Sequence, residues 1–224
     1  MNESRYSSVF TLTCVKYGLK QRICSCSMII MVLLISSCSS TPDNNNASLG
    51  TNYTLKNRTS FLTTINNWQV KGKIAFIEGK EKKSASLFWQ NHPRNQSEQL
   101  KLTTYLGINV LDVNLNNGIY TVNVDKKTYK DTDIDYILYS LSGFHLPSKA
   151  LKSWIKAIPF TKDDKIQYDS ETQLPVSITS HYANTTWKIR YNEYDNVNTV
   201  PLPKRLTIKQ NNLTIKIIIN QWTF

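Results

Sequence analysis

Histidine and cysteine are the residues of this chain whose side chains could hold a metal ion or act as nucleophiles. The three histidines are His92, His145 and His181. They fall in separate parts of the chain, and none has an acidic residue or a cysteine at ligand spacing. No cysteine follows Cys38, and no G-x-S-x-G sequence presents a nucleophilic serine. We therefore predict that the protein is not an enzyme and that it binds neither a metal nor a cofactor.

Three carboxylates are clustered at Asp131, Asp133 and Asp135. They stand at the start of a segment with helical periodicity, and Thr132 and Asp135 have the spacing of a capping box. Acidic residues are favoured there because the first turn of a helix carries a partial positive charge. The cluster therefore indicates the beginning of a helix rather than a catalytic site.

The N-terminal region contains a cysteine that could be modified covalently. Eight apolar residues in a row, 28–35, precede Ser36, Ser37 and Cys38. The run is far shorter than the roughly 20 residues that span a bilayer, which favours a cleaved signal peptide over a retained anchor. The order of aliphatic residue, two small residues and cysteine resembles a bacterial lipobox. We expect residues 1–37 to be removed and Cys38 to carry diacylglycerol and an N-acyl chain; an unmodified cysteine or a short retained anchor is the alternative.

The rest of the chain divides into a tether and one domain. Residues 38–54 are polar and rich in turn formers, which predicts a flexible connection between the lipid and the domain. Residues 55–224 are long enough to bury one core without disulfides. The chain has a formal net charge of +11, which would attract it to anionic headgroups. The basic residues do not form a run, so a solvated surface is the simpler reading, and the signal peptide argues against nucleic acid.

Period-two alternation of apolar residues predicts about ten strands in the domain. The predicted strands are 68–77, 84–90, 99–104, 108–115, 119–124, 165–168, 176–182, 187–194, 205–209 and 213–222. Helical spacing predicts a short helix within 55–67 and another at 131–142 that ends at Gly143. A third helix begins at Ser148 as its cap and ends at Pro159. This order indicates a mainly β protein, a strongly curved antiparallel sheet or open barrel covered by helices, whose interior is either a packed core or an apolar cavity.

The residues of the domain resemble the outer-membrane lipoprotein receptor family LolB. The matching pieces are Trp68-x-x-x-Gly72-x-x-Ala75, Ala85-x-x-x-Trp89-Gln90, Tyr105-Leu106-Gly107, Leu141-x-Gly143-x-x-Leu146-Pro147-x-x-x-Leu151-x-x-Trp154-Ile155-x-x-x-Pro159, Trp187-x-Ile189-x-Tyr191-x-x-Tyr194, Leu202-Pro203 and Trp222. The resemblance implies a half-closed barrel of about eleven strands with a helical lid over a hydrophobic cavity, a fold shared with the periplasmic carrier LolA. It also implies a monomer in the outer membrane, facing the periplasm, that takes lipoproteins from LolA and inserts their acyl chains among the outer-membrane lipids without nucleotide hydrolysis.

Two groups of site residues follow from this resemblance. The first is a membrane-insertion loop made by Tyr105, Leu106 and Gly107, in which Tyr105 replaces the proline that is usual in the family. The second is the lining of the acyl-chain cavity, chosen from the alternation pattern. Its candidates are Phe76, Phe88, Trp89, Leu102, Val113, Ile137, Leu141, Leu151, Trp154, Ile155, Ile189 and Ile217.

An outer-membrane-anchored lipid- or protein-binding assembly factor with the same fold is the alternative function. Depletion of the protein distinguishes a transfer receptor from an assembly factor, because loss of a transfer receptor should leave carrier-bound lipoproteins accumulating in the periplasm. A small hydrolase on a lipid anchor is a third class, and the residues offer it no catalytic group.

Overall fold

The computed structural model describes residues 54–143 and 145–224, which belong to one compact unit, Ser48–Phe224. The expected signal peptide 1–37, the lipidation site Cys38 and the tether up to residue 53 lie outside the described residues.

The described chain forms a single sheet of eleven antiparallel strands. The strands are β1 (Trp68–Glu78), β2 (Glu81–His92), β3 (Ser97–Thr103), β4 (Asn109–Asn116), β5 (Ile119–Val124), β6 (Lys127–Asp131), β7 (Lys165–Tyr168), β8 (Pro175–Tyr182), β9 (Thr185–Val197), β10 (Val200–Gln210) and β11 (Leu213–Thr223). Their order across the sheet is β6-β5-β4-β3-β2-β1-β11-β10-β9-β8-β7. The sheet does not close, since β6 and β7 are its two edges. This confirms the predicted half-closed, mainly β fold.

Strand β6 is the element that the alternation pattern missed. Its sequence is Lys-Thr-Tyr-Lys-Asp, in which Tyr129 is the one apolar residue. An edge strand has one neighbour and little to bury, so it leaves a weak period-two signal. The hairpin before it was visible, because Asn117 and Gly118 adopt the positive φ angles of 49° and 80° that Asn-Gly favours.

Three helices accompany the sheet: α1 (Arg58–Thr64), α2 (Ile134–Ser142) and α3 (Ser148–Trp154). Helix α2 is capped by Asp133, whose side chain accepts from the backbone N–H groups of Asp135 and Tyr136, and not by Thr132 as the spacing predicted. Its C-terminal cap is Gly143, with a φ of 74°, as expected. Ser148 is the first residue of α3 rather than its cap, and its backbone N–H donates to Asp135 Oδ1 at 3.0 Å. The acidic cluster therefore shapes the two helices.

Gly72 marks the closest approach of two central strands. A bulge at Lys71 and Gly72 interrupts the pairing of β1 with β11. A Cβ atom at Gly72 would stand 2.0 Å from the carbonyl oxygen of Ile218. Only glycine fits between these backbones, because the carbonyl cannot move without breaking the ladder.

We expect Gly72→Ala to lower the free energy of unfolding by about 3 kcal/mol or more, because the added methyl group forces the central strands apart. Urea denaturation followed by tryptophan fluorescence measures this. Gly79→Ala is the control, since its Cβ meets nothing within 4 Å and its φ of 56° alone should cost about 1 kcal/mol. Equal losses in the two variants would contradict the assignment.

One half of the interior is filled by protein side chains. Trp154 and Trp187 are buried there with their ring centroids 5.7 Å apart, beside Ile189 on β9. Helix α1 closes this half through the buried Arg58, whose guanidinium donates to the carbonyl oxygens of Lys156, Ala157 and Pro201 at 2.9, 2.9 and 3.1 Å. The packed half thus has a fixed boundary.

Lys156, in the segment after α3, makes a second contact with helix α1. Its Nζ donates to the carbonyl oxygens of Leu62 and Ile65 at 3.0 and 3.1 Å, where it caps the end of α1. Burial lowers the pKa of Lys156 from 10.5 to about 8, because the charged amine is removed from water. Lys156 and Arg58 together fasten α1 to the packed half.

The lowered pKa of Lys156 should make stability depend on pH. The folded protein releases this proton near pH 8 and the unfolded chain near 10.5, so the free energy of unfolding should rise with pH between these values. Between about pH 7 and about pH 9.5 we expect a gain on the order of 2 kcal/mol from this group. Urea denaturation at several pH values measures it, and Lys156→Met should lack the gain. Parallel pH curves for the two proteins would refute the assignment.

Candidate functional site

The other half of the interior contains an apolar cavity of about 90 Å³. The sheet forms its floor, and α2 and α3, called the lid from here on, cover it. The lining residues are Ile74, Phe76, Leu87, Trp89, Glu98, Leu100, Leu102, Leu111, Val113, Tyr120, Ile134, Leu138, Leu146, Ser148, Leu151, Ile155, Leu206, Ile208, Ile215 and Ile217. Such a cavity can shelter apolar ligands, since few of its groups need a polar partner.

Seven of the twelve predicted cavity residues lie on this wall. They are Phe76, Trp89, Leu102, Val113, Leu151, Ile155 and Ile217. The strand residues among them point inward by the alternation of the strand. Leu151 on α3 and Ile155, the C-terminal cap of that helix, are four positions apart and so share one side of it. Whether acyl chains touch these residues stays a prediction.

The other five predicted residues do not line the cavity. Phe88 follows Leu87 and precedes Trp89, both of which point inward, so it lies on the opposite face of β2. Trp154 and Ile189 belong to the packed half. Ile137 is buried in the same cluster as the lining residues Val113 and Leu138, but it is not itself on the cavity wall. Leu141 is near the end of α2, and 36% of its surface is exposed.

A buried carboxylate interrupts the apolar wall. Glu98 on β3 accepts a hydrogen bond from Trp89 Nε1 at 3.0 Å and forms an ion pair with Lys152 on α3. Burial, together with the charge of Glu98, raises the pKa of the neighbouring Tyr120 to about 12. Since a buried charge is costly without a partner, the ion pair holds the lid to the floor.

Glu98 was not among the predicted site residues, although its signal was present in the sequence. Glu98, Leu100 and Leu102 alternate on β3, and the last two point into the cavity. The same alternation places the carboxylate on the inner face. Its partner Lys152 had no comparable signal, because the pairing depends on where α3 lies.

The loop between β3 and β4 presents the most exposed apolar side chains of the described residues. Tyr105 is 99% exposed and Leu106 is 80% exposed. Backbone hydrogen bonds close the loop: Thr104 N–H donates to Ile108 O at 2.8 Å, and Gly107 N–H donates to Thr104 O at 3.0 Å. These bonds fix the backbone of the loop on both sides of Tyr105 and Leu106.

No group of three or more histidine, cysteine, aspartate or glutamate side chains within 54–143 and 145–224 is arranged to hold a metal ion. In the same residues, no helix has the length and apolar character needed to cross a membrane.

An open antiparallel half-barrel with an apolar cavity beneath two helices defines a class of proteins suited to apolar ligands. Similarity of the sequence to known proteins identifies the family within this class. The profile described as "Outer membrane lipoprotein LolB" matches residues 66–222. The chain therefore belongs to the LolB family of outer-membrane lipoproteins and has a role in lipoprotein sorting at that membrane.

Two LolB relatives agree with this assignment. An outer-membrane lipoprotein LolB from Shewanella amazonensis is 35% identical over 69% of this chain and 72% of its own length. One from Pseudoalteromonas translucida is 32% identical over 76% of this chain and 83% of its own length. Among solved structures, a LolA superfamily protein from Nitrosomonas europaea is 8% identical, has a TM-score of 0.48 and covers 76% of this chain and 91% of its own.

Proposed function

We propose that the protein accepts lipoproteins from a LolA-type periplasmic carrier, holds their acyl chains under the lid and inserts them into the outer membrane without nucleotide hydrolysis. The observation that carries this proposal is the apolar cavity between the sheet and the two helices. Each buried methylene is worth about 0.8 kcal/mol, so several acyl chains in water would cost tens of kcal/mol. The chains must therefore pass from one dry site to the next.

In this proposal the small cavity of the described residues is the closed form of the site. A cavity of about 150 Å³ holds one benzene molecule, and the cavity of this protein measures about 90 Å³. A long acyl chain needs more room, so the lid must move away from the floor before cargo enters. Movement of α3 breaks the ion pair between Glu98 and Lys152, while the bond from Ser148 to Asp135 keeps α3 joined to α2.

Transfer without an energy source requires affinities that increase from carrier to receptor to bilayer. A small cavity that opens at the cost of a buried ion pair binds acyl chains less tightly than a bilayer does. Leu106 is 80% exposed on its loop, which a residue that enters a bilayer requires. We propose that contact of Leu106 with the bilayer starts the release of the acyl chains. We also propose that the protein is a monomer and that the lipid on Cys38 keeps it at the membrane.

Transfer in vitro tests the proposal. A purified carrier loaded with a labelled lipoprotein is mixed with the mature chain bearing Cys38→Ala, so that the anchor cannot hold it in vesicles. The label should move to this protein and, on addition of liposomes, to the bilayer. Label that stays on the carrier would refute the proposal and favour an assembly factor of the same fold.

A further inference from the structure

The outer face of the sheet carries two adjacent rows of paired positions that run across seven strands, and six of these fourteen positions are basic. Directly paired positions form the first row, Lys165, Thr179, Lys188, Lys209, Thr214, Ile77 and Lys82. The second row is Gln167, Ser177, Arg190, Thr207, Lys216, Ala75 and Ser84. These are called the basic rows. Their side chains point outward, since the alternate residues, such as Trp187 and Ile208, are buried inside.

The basic rows contain six cations and no carboxylate. Lys188 faces Lys209 directly across β9 and β10, a like-charge pair that destabilises a sheet. Among the described residues, no ion pair neutralises Lys188, Arg190, Lys209 or Lys216. These four side chains line one open groove on the outer face. An arrangement that opposes folding and lacks internal partners indicates an external anion.

The basic rows lie at the same end of the sheet as Leu106. Ser86 on β2 pairs with Thr103, the last residue of β3. From this pair, β2 continues towards Ser84 and Lys82 in the same direction in which β3 continues into the loop that carries Leu106. A bilayer touched by Leu106 would therefore meet the basic rows as well.

We propose that the basic rows bind the phosphate headgroups of anionic phospholipids and orient the protein on the membrane surface. Five of the six cations are lysines, a residue that is depleted in protein interfaces, whereas arginine is enriched there. The lysines lie on five of the seven strands, which suits many separate phosphates, and each contributes to attraction by an anionic surface. The inference rests on the proposed delivery role, because that role brings this end of the sheet to the bilayer.

Binding to vesicles tests this inference. The mature chain with Cys38→Ala is mixed with phosphatidylcholine vesicles that do or do not contain phosphatidylglycerol, and bound protein is measured by flotation. Lys188→Gln/Lys209→Gln should weaken binding to the anionic vesicles roughly twenty-five-fold, because each lysine near the surface contributes about fivefold. Added salt should also weaken the binding of the unsubstituted protein to the anionic vesicles.

Arg94→Gln/Lys130→Gln is the matched control, since it removes two exposed cations near the opposite end of the sheet. An equal loss in both double variants, or a loss in neither, would overturn the inference. Unchanged vesicle binding with slower uptake from the carrier would also overturn it and assign the cations to a protein partner. The Leu106→Glu variant should keep salt-dependent binding to anionic vesicles. A failure of the proposed role of the loop in release can therefore be told apart from a failure of headgroup binding by the basic rows.

Discussion

Leu106→Glu should block delivery of lipoproteins into liposomes and leave their uptake from the carrier unchanged. Leu106 is exposed on a closed loop, so the substitution should not affect folding. A charged side chain in place of leucine costs about 3 kcal/mol inside a bilayer, which corresponds to about a hundredfold loss for a step in which this residue enters the hydrocarbon. The transfer assay separates the two steps, because uptake is scored before liposomes are added.

Ile119→Glu provides the control for this variant. Ile119 is 48% exposed and lies at the turn between β4 and β5, at the opposite end of the sheet. The Ile119→Glu protein should deliver lipoproteins normally, since that end of the sheet faces away from the bilayer. Delivery by the Leu106→Glu protein at the rate of the unsubstituted protein would show that the loop has no part in release.

Leu100→Trp should abolish uptake from the carrier while the protein stays folded. Leu100 lies on the cavity wall, and an indole there would occupy much of the 90 Å³ that is now empty. Filling a void offsets the strain of a larger side chain, so we expect the free energy of unfolding to change by less than about 1.5 kcal/mol. Urea denaturation and the transfer assay measure the two properties separately.

Val110→Trp is the matched control, because Val110 is a partly exposed residue of β4 that does not line the cavity. It should accept lipoproteins normally. If Leu100→Trp fails to fold, Leu111→Phe on the neighbouring strand makes a smaller change to the same wall. Normal uptake by a folded variant with a filled cavity would remove the cavity from the proposed mechanism.

The strands could be predicted from the sequence because their alternation has a direct physical cause. One face of each strand is dry, so apolar residues recur at every second position. This held for β1 and β11, and it failed for the edge strand β6. The error at Phe88 was avoidable, since Phe88 and Trp89 are consecutive and cannot point to the same side of β2.

The division of the interior into a packed half and a hollow half could not be predicted in this way. Leu151 and Trp154 are three residues apart on one side of α3, yet the first lines the cavity and the second packs against Trp187. Trp154 belongs to the packed half, over which Arg58 fastens helix α1, and Leu151 lies beside the cavity. Periodicity reports which side of an element is dry, and it carries no information about what lies opposite.

The unclosed sheet has a consequence for the behaviour of the protein in a crowded compartment. Unpaired N–H and C=O groups along an edge strand invite pairing with another chain, which leads to aggregation. The edge strands β6 and β7 have only five and four residues, and they carry Lys127, Lys130 and Lys165. Short, charged borders are poor templates for strand exchange. The protein can therefore leave its barrel unsealed without polymerising through its edges.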